Sequence, residues 1–185
     1  MCKPCKTTHF QSKPYSNFSI TYQNIEGLHG ALGCKVSNFS NKVKADICFI
    51  SETWSCDHDK DISGYVHKFT DGYKLPHCKK GRSSGGILLY YKKHLHENLR
   101  ILKSTPYAIW LTLDKSLFSN IENDVTIYAT YIPPLNSKYN HIYTFDDIAQ
   151  DTMNFCDDDS LVLFLGDFNA RSGNLSDNLD ITNQE

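Results

Sequence analysis

The chain has 185 residues, of which 40% are hydrophobic and 22% are charged. This size and composition exclude a collagen-like, low-complexity or wholly disordered protein, and they favour one domain around one hydrophobic core. The 19 basic and 21 acidic side chains give a formal net charge of −2, so the chain has no overall positive charge with which to bind a polyanion. Binding to nucleic acid would therefore depend on a local basic patch or on a bound metal cation.

The N-terminal segment and the cysteines indicate the cellular environment. We expect residues 1–17 to form a loose leader, because they are polar and lack the apolar centre of a secretory signal. No segment approaches the roughly 20 apolar residues of a membrane-spanning helix. The 7 cysteines are scattered and odd in number, which favours reduced thiols over a disulfide framework. The sequence therefore predicts an intracellular protein that is neither secreted nor bound to a membrane, and it leaves nucleus or cytoplasm and the oligomeric state open.

The first half of the chain predicts four strands and one helix. Short runs rich in β-branched and aromatic residues, bounded by glycines and polar residues, are typical of strands. The apolar residues from Leu28 to Val43 recur every three or four positions, and this spacing predicts a helix with one buried face. The predicted strands of this half are Phe18 to Ile25, Ile47 to Ile50, Tyr65 to Phe69 and Gly85 to Tyr91.

The second half predicts four more strands and a second helix, from about His141 to Cys156. The apolar run from Leu161 to Leu165 predicts a buried strand. The other strands are Leu99 to Leu102, Ile109 to Leu113 and Val125 to Tyr131. The residues predicted on the buried face of the helix are Ile142, Phe145, Ile148, Ala149 and Met153.

The number and order of these elements predict the fold. Many short strands interrupted by only two helices favour an α+β fold in which two sheets pack face to face with helices outside them, a four-layer α/β/β/α sandwich. No internal repeat or linker divides the chain. We therefore expect residues 18–185 to belong to one domain.

Polar side chains follow several predicted strands at the points where these strands end. Any one of them alone is typical of a helix cap or a solvated turn, and an isolated tyrosine would pack at the rim of the core. Together, carboxylates and carboxamides at several strand ends can converge on one edge of a sandwich, where hard oxygen ligands suit Mg²⁺. These residues are Asn24, Glu26, Glu52, Tyr131, Asp167 and Asn169.

Two neighbouring features have both a structural and a functional interpretation. The residues Lys79, Lys80 and Arg82 form a short basic loop, which is either solvated or in contact with a phosphate backbone. Trp54, which closely follows one of the predicted strands, either packs in the core or stacks on a base. The sequence alone does not decide between these alternatives.

The ordered set of motifs resembles the endonuclease/exonuclease/phosphatase superfamily, which includes deoxyribonuclease I. The segments SETW, GRSSGG and TYIPP look most like the endonuclease domains of non-LTR, LINE-type retrotransposons. The resemblance covers nearly the whole chain, from about Phe18 to Gly173, and it implies the deoxyribonuclease I-like form of the sandwich. The motifs that carry it are Asn24-x-Glu26-Gly27, Ser51-Glu52-Thr53, Gly85-Gly86, Tyr131-x-Pro133 and Gly166-Asp167-Phe168-Asn169.

The resemblance implies a metal site and a reaction. Glu52 would be the main ligand of Mg²⁺, with Mn²⁺ as an alternative ion, and Asn24 and Glu26 would be the other metal residues. Asp167 would activate the water that attacks a Mg-bound phosphate, while Tyr131 would donate a hydrogen bond to that phosphate. The implied function is a metal-dependent phosphodiester hydrolase that nicks DNA.

The same resemblance implies the partner. Asn169, Arg82 and Arg171 would contact the phosphate backbone of DNA. As a retrotransposon endonuclease, the chain would be part of a longer polyprotein that also contains a reverse transcriptase.

One motif of the family has no counterpart in the sequence. The family ends with a strand that carries a Ser-Asp-His motif, whereas all 8 histidines of this chain precede Asp167. We therefore expect the domain to be incomplete at its C-terminus and to lack the last strands of the second sheet. The strand from Leu161 to Leu165 would then lose a neighbour and leave apolar surface at an unpaired edge exposed. Two alternatives stay open, a catalytically impaired fragment that only binds nucleic acid or protein, and a lipid or inositol phosphatase of the same superfamily.

Overall fold

The computed structural model of the protein describes residues 17–27, 43–54, 61–77 and 81–170. Nearly all of the predicted leader and most of the predicted helix that starts at Leu28 lie outside the described residues, as do Lys79, Lys80 and Arg171. None of the helices in the described ranges is long and apolar enough to cross a membrane.

The first sheet is a mixed sheet of four strands. It comprises β1 (Ile20–Asn24), β2 (Ile47–Ser51), β3 (Tyr65–Thr70) and β4 (Ile87–Lys92). The spatial order is β1-β2-β4-β3, in which β1 and β2 run parallel and the other pairs run antiparallel. The two inner strands, β2 and β4, have the near-continuous apolar sequences expected of strands that are covered on both faces.

The second sheet also has four strands. It comprises β5 (Leu99–Ser104), β6 (Ala108–Leu113), β7 (Val125–Tyr131) and β8 (Leu161–Asp167). They lie in chain order, with β7 and β8 parallel and the other pairs antiparallel. All eight predicted strands are therefore present, with ends that differ from the prediction by at most two residues.

The main core lies between the two sheets. Phe49 and Leu89 of the first sheet and Leu111 and Ile127 of the second sheet are 0% exposed within it. Smaller apolar clusters cover the outer face of each sheet, and the helix α1 (Phe145–Phe155) packs on the outer face of the second. Two packed sheets with a helix outside confirm the predicted α+β sandwich.

The helix α1 begins later than predicted, at Phe145, because Thr144 caps it. The Asp147 carboxylate accepts hydrogen bonds from the Thr144 backbone N–H at 2.8 Å and from the Thr144 hydroxyl at 2.9 Å, as in a capping box. Ile142, predicted on the helix, precedes it and packs half-buried against the outer cluster.

The predicted buried face of α1 is confirmed at Ile148 and wrong at three other positions. Phe145 is 55% exposed and Met153 is 78% exposed, and Ala149 is exposed as well. The buried residues of the helix are Ile148 and Asp151. The face that packs on the sheet is therefore rotated from the one that the apolar residues predict.

The carboxylate of Asp151 is the physical reason for this rotation. It pairs with Lys103 Nζ at 2.6 Å and accepts hydrogen bonds from Trp110 Nε1 and from the Tyr143 hydroxyl, each at 3.2 Å. A carboxylate with this many partners can be buried. A prediction based on apolar spacing places such a residue in solvent and turns the helix accordingly.

The strand β8 is not the buried strand that its apolar run alone predicts. It has instead the exposed edge that we expect from the absence of the Ser-Asp-His motif. It lies at the edge of the second sheet and pairs only with β7 among the described strands. Leu161 is 44% exposed, Leu163 is 38% exposed and Phe164 is 43% exposed. The apolar run by itself is equally compatible with an inner strand and with an edge strand, and only the absent Ser-Asp-His motif favours the edge.

Candidate active site

The pairing of parallel strands brings the predicted site residues to one end of the sandwich. In the first sheet Asn24 lies opposite Ser51, the residue before Glu52. In the second sheet Tyr131 lies opposite Asp167. Because parallel strands end at the same edge of a sheet, each sheet presents two of these residues together.

A hydrogen bond between side chains joins the two sheets at this end. Asn24 Nδ2 donates to Asp167 Oδ2 at 2.9 Å. The other carboxylate oxygen of Asp167 accepts the backbone N–H of Asn169 at 3.1 Å. The Asp167 carboxylate is therefore held on both oxygens, each of which retains a lone pair for a further ligand.

The side chain of Asn169 is partly committed to the fold. Its Nδ2 donates to the carbonyl of Ile132 at 2.8 Å. The other N–H and the amide oxygen of Asn169 form no hydrogen bond with a described residue, so they are available to a ligand.

Glu52 and Tyr131 form a second pair, with only 7% and 5% of each residue exposed. Burial raises the pKa of the Tyr131 phenol, and the neighbouring Glu52 carboxylate raises this pKa further. The negative charge of Asp167 acts in the same direction, while Arg82 opposes it. Tyr131 therefore stays protonated at neutral pH and is a hydrogen-bond donor.

The donor set at this end of the sandwich fits a hard divalent cation with a partial protein shell. Among the described residues, no three histidine, cysteine or acidic side chains are grouped to enclose a metal. Mg²⁺, however, is usually bound by one or two carboxylates together with water and phosphate. Glu52 suits this mode, because it is buried and forms no ion pair with any described lysine, arginine or histidine.

The predicted metal residues Asn24 and Glu26 differ in how the structure uses them. The amide oxygen of Asn24 accepts the Glu26 backbone N–H at 3.1 Å, so the main chain of Glu26 orients Asn24. Glu26 itself is exposed. The Asn24 oxygen is thus an uncharged atom, fixed in position near Asp167, that could bind a metal ion. The Glu26 side chain is the most exposed of the three predicted metal residues.

Strained backbone is concentrated at these strand ends. In the described ranges, the non-glycine residues with positive φ are Glu26 at 50°, Glu52 at 54°, Trp54 at 62° and Asn169 at 44°. Each such residue costs on the order of 1–3 kcal/mol, and such residues cluster at functional sites. At Glu52 the conformation is held by the Gly27 N–H, which donates to the Glu52 carbonyl at 2.6 Å.

A glycine pair fixes the turn that follows Glu52. The N–H of Thr53 donates to the Gly86 carbonyl at 3.2 Å, and the N–H of Trp54 donates to the Gly85 carbonyl at 2.9 Å. A Cβ on Gly86 would lie 2.5 Å from Thr53 Oγ1, so a larger residue would push the turn away. The glycines of the GRSSGG segment thereby position Glu52.

A cavity of about 480 Å³ opens beside Glu52 and Tyr131. Arg82 lines it, with its guanidinium carbon 4.4 Å from the centre of the Trp54 ring. A Cβ on Gly27 would overlap that ring. Trp54 is therefore a packing residue that supports Arg82, the structural alternative of the two interpretations given above.

Lys138 and Tyr139 also line this cavity. Lys138 Nζ lies 5.0 Å from the centre of the Tyr139 ring, and the Tyr139 hydroxyl donates to the Arg82 carbonyl at 3.1 Å. That hydrogen bond joins the loop of Lys138 to the loop of Arg82. The cavity beside Glu52 is thus also lined by two cationic side chains, those of Arg82 and Lys138.

Sequence reasoning did not identify Tyr22, Lys138 or Tyr139 as residues of this region. For Tyr22 the signal was available, because it stands two positions before Asn24 in a strand, and alternate residues of a strand share a face. Lys138 and Tyr139 lie in the loop after the double proline, where nothing in the sequence gives the direction of the chain.

Comparisons with known proteins give a fold and no closer relationship. A scan of protein-family models finds no match. A search of curated protein sequences finds no match either.

Several solved structures are similar to the chain. The AP endonuclease LMAP from Leishmania major has a TM-score of 0.52 at 18% identity, over 80% of this chain and 54% of that one. The human Nocturnin catalytic domain with bound sulfate has a TM-score of 0.55 at 17% identity, over 83% and 64% of the two chains. D. rerio TDP2 complexed with a single-strand DNA product has a TM-score of 0.54 at 15% identity, over 85% and 62%.

These similarities define the class of fold. The three structures share the deoxyribonuclease I-like fold, and so does this chain. The chain spans between 54% and 64% of the length of these structures.

Proposed function

We propose that the protein is a metal-dependent phosphodiesterase that nicks DNA. One observation carries the proposal: Asn24 of the first sheet donates a hydrogen bond to the Asp167 carboxylate of the second sheet, at the end of the sandwich where Tyr131 lies opposite Asp167 and lines one cavity with the buried Glu52. Distant segments thereby supply a carboxylate base, a protonated phenol and a buried carboxylate within one cluster. A base for water, a hydrogen-bond donor for the phosphate and a carboxylate for a cation together can support hydrolysis of a phosphodiester.

In this proposal Asp167 orients the attacking water and accepts its proton. Its carboxylate is suited to this because Asn24 and the Asn169 backbone hold it in one orientation. Tyr131 donates a hydrogen bond to a phosphate oxygen, where negative charge grows in the transition state. The raised pKa of Tyr131 keeps that proton in place. The free N–H of Asn169 holds a second phosphate oxygen.

Glu52 would hold a divalent cation, with the Asn24 amide oxygen and the Glu26 carboxylate as its other protein ligands. Mg²⁺, or Mn²⁺ in its place, would neutralise the charge of the phosphate and polarise it.

DNA is the proposed substrate because the cavity beside the cluster carries Arg82 and Lys138. On a chain with a net charge of −2, two cations next to the acids are a local attraction for a phosphate backbone. Arg171 is a further proposed contact with the DNA backbone and lies outside the described residues.

We place the protein with the non-LTR retrotransposon endonucleases because of the SETW, GRSSGG and TYIPP segments. An open reading frame that continues into a reverse transcriptase would support this placement, and a gene without one would contradict it.

The test is nicking of supercoiled plasmid by the purified chain in Mg²⁺ or in Mn²⁺, with EDTA as the metal-free control. We expect metal-dependent nicking that Glu52→Gln lowers at least about 100-fold, because this variant removes the negative charge and keeps the size of the side chain. Glu97→Gln is the matched control, since Glu97 is exposed on the 3₁₀ helix Lys93–Asn98.

Other outcomes distinguish the alternatives. Release of phosphate from inositol phosphates or lipid phosphates, without nicking, would assign the site to a phosphatase. Retention of plasmid without nicking in either metal would leave a binding protein and contradict the proposed reaction. Equal nicking by Glu52→Gln and Glu97→Gln would remove Glu52 from the mechanism.

A further inference from the structure

We infer that Tyr22 is a positioning residue whose hydroxyl fixes the reacting side chains of the two sheets relative to one another. The inference rests on the proposed function, because those side chains are the carboxylates and the phenol of the proposed reaction. Tyr22 itself lies on β1, packs against the core between the sheets and is not assigned any contact with the substrate.

The Tyr22 hydroxyl contacts three strands other than its own. Its oxygen lies 2.7 Å from Ser51 Oγ on β2 and 2.7 Å from the Thr130 carbonyl oxygen on β7. It also accepts the backbone N–H of Asp167 on β8 at 3.1 Å. One side chain therefore joins two strands of each sheet at the end where the candidate site lies.

Each of these partners is a reacting residue or the residue before one. Ser51 precedes Glu52, and Thr130 precedes Tyr131. Asp167 is bonded through its main chain. A displacement of the hydroxyl would therefore be transmitted to all three reacting residues over one peptide unit or less.

The hydrogen-bonding capacity of the phenol is fully used. A phenol has one proton, and because the Thr130 carbonyl can only accept, Tyr22 donates to it. The Asp167 N–H and the Ser51 hydroxyl then donate to the two lone pairs of the phenol oxygen.

Tyr22 and Asn24 together hold Asp167 at two points. Their side chains point to the same face of β1 because they are two positions apart. Tyr22 takes the Asp167 N–H, while Asn24 donates to the Asp167 carboxylate at 2.9 Å. The first contact fixes the position of the Asp167 main chain relative to β1, and the second fixes the orientation of its carboxylate.

The experiment compares Tyr22→Phe with Tyr65→Phe, each of which removes only a hydroxyl. Tyr65 is the matched control, because its hydroxyl donates to the carbonyls of Val43 at 3.1 Å and Ala45 at 2.8 Å, away from the site. We expect Tyr22→Phe to lower kcat for plasmid nicking at least about 10-fold with KM changed by less than about two-fold, since misplacement of reacting groups slows chemistry more than binding. We expect Tyr65→Phe to leave kcat unchanged at a temperature where both variants are folded.

A second measurement does not depend on activity. Amide hydrogen exchange followed by NMR should be at least about 10-fold faster at Asp167 in Tyr22→Phe, since its N–H loses its acceptor, and unchanged there in Tyr65→Phe. Normal exchange at Asp167 in Tyr22→Phe, or equal kcat for the two variants, would overturn the inference. If the unmodified protein does not nick DNA, the proposed function fails, and the exchange rates still decide whether Tyr22 positions Asp167.

Discussion

The strand β2 is followed directly by Glu52 and the strand β8 ends at Asp167, yet the two strands are supported very differently. The residues of β2 are all buried, and the strand is paired on both sides, by β1 and β4. The strand β8 is paired only with β7 in the described part of the chain and exposes Leu161, Leu163 and Phe164. Glu52 thus follows an inner strand of the first sheet, whereas Asp167 lies on an edge strand of the second sheet as described.

This contrast shows how a precise site can be built on unequal supports. The interior strand needs only its own neighbours to hold Glu52. Among the described residues β8 has a strand partner on one side only, and hydrogen bonds with Tyr22 and Asn24 of β1 support it in addition. We therefore expect mutations near β2 to change the stability of the whole domain and mutations near β8 to change mainly the site.

The largest expected difference is between Phe49→Ala on β2 and Phe164→Ala on β8. Phe49 is 0% exposed, so its truncation leaves a cavity and should lower the free energy of unfolding by about 4 kcal/mol. Phe164 is 43% exposed and contacts Trp110 and Tyr128 at its ring edge, so its truncation should cost about 1 kcal/mol. Urea unfolding at 25 °C measures both values, and equal losses would show that β8 is as well supported as β2.

A smaller effect on stability is expected for Gly166→Ala. A Cβ there would overlap the carbonyl of Thr130, which accepts from Tyr22. We expect a loss of about 2 kcal/mol in the free energy of unfolding, together with a decrease in plasmid nicking that exceeds the loss of folded protein.

The control for Gly166→Ala is Gly64→Ala. A Cβ on Gly64 meets no atom within 4 Å, although φ is +85° there. Its effect should come from backbone strain alone, about 1 kcal/mol, without a change in nicking. Normal nicking by folded Gly166→Ala would show that the position of the Thr130 carbonyl does not affect the arrangement of the site residues.

The smallest expected effect concerns acid stability at the start of β2. Burial raises the pKa of Asp46, but hydrogen bonds from Ser19 and Lys92 outweigh burial and lower the pKa below its usual value of 3.8. A carboxyl with a lowered folded-state pKa contributes stability above pH 3.8, and this contribution is lost as the pH falls through the folded-state pKa. Urea unfolding at pH 7 and at pH 2 should show that Asp46→Asn costs stability only at the higher pH. An equal cost at both values would contradict this account.

The sequence predicts the strands well because their apolar and β-branched residues act locally. The run ICFIS forms β2 within one residue of the prediction, and the segment from Val125 to Tyr131 matches β7. It also places Asn24, Glu52 and Asp167 at strand ends. Parallel pairing brings Asn24 beside the end of β2, and packing of the two sheets brings Asn24 to Asp167.

The errors arise where a residue depends on distant partners. Asp151 is buried because Lys103, Trp110 and Tyr143 supply its hydrogen bonds, and no local pattern announces these partners. The exposure of Leu163 depends on whether another strand pairs with β8. The residues of β8 themselves do not show this. The roles proposed for Glu52, Tyr131 and Asp167 stay predictions that the nicking assays will test.

The left-handed residues at the strand ends have a consequence for directed evolution. Glycine adopts their conformation without strain, so selection for heat resistance in a random library would favour glycine at Glu52 or Asn169. Each such gain would delete a side chain of the proposed reaction, because stability and activity conflict where strain is stored. Among variants selected for heat resistance, we therefore expect the earliest losses of nicking activity to come from replacement of Glu52 or Asn169 by glycine.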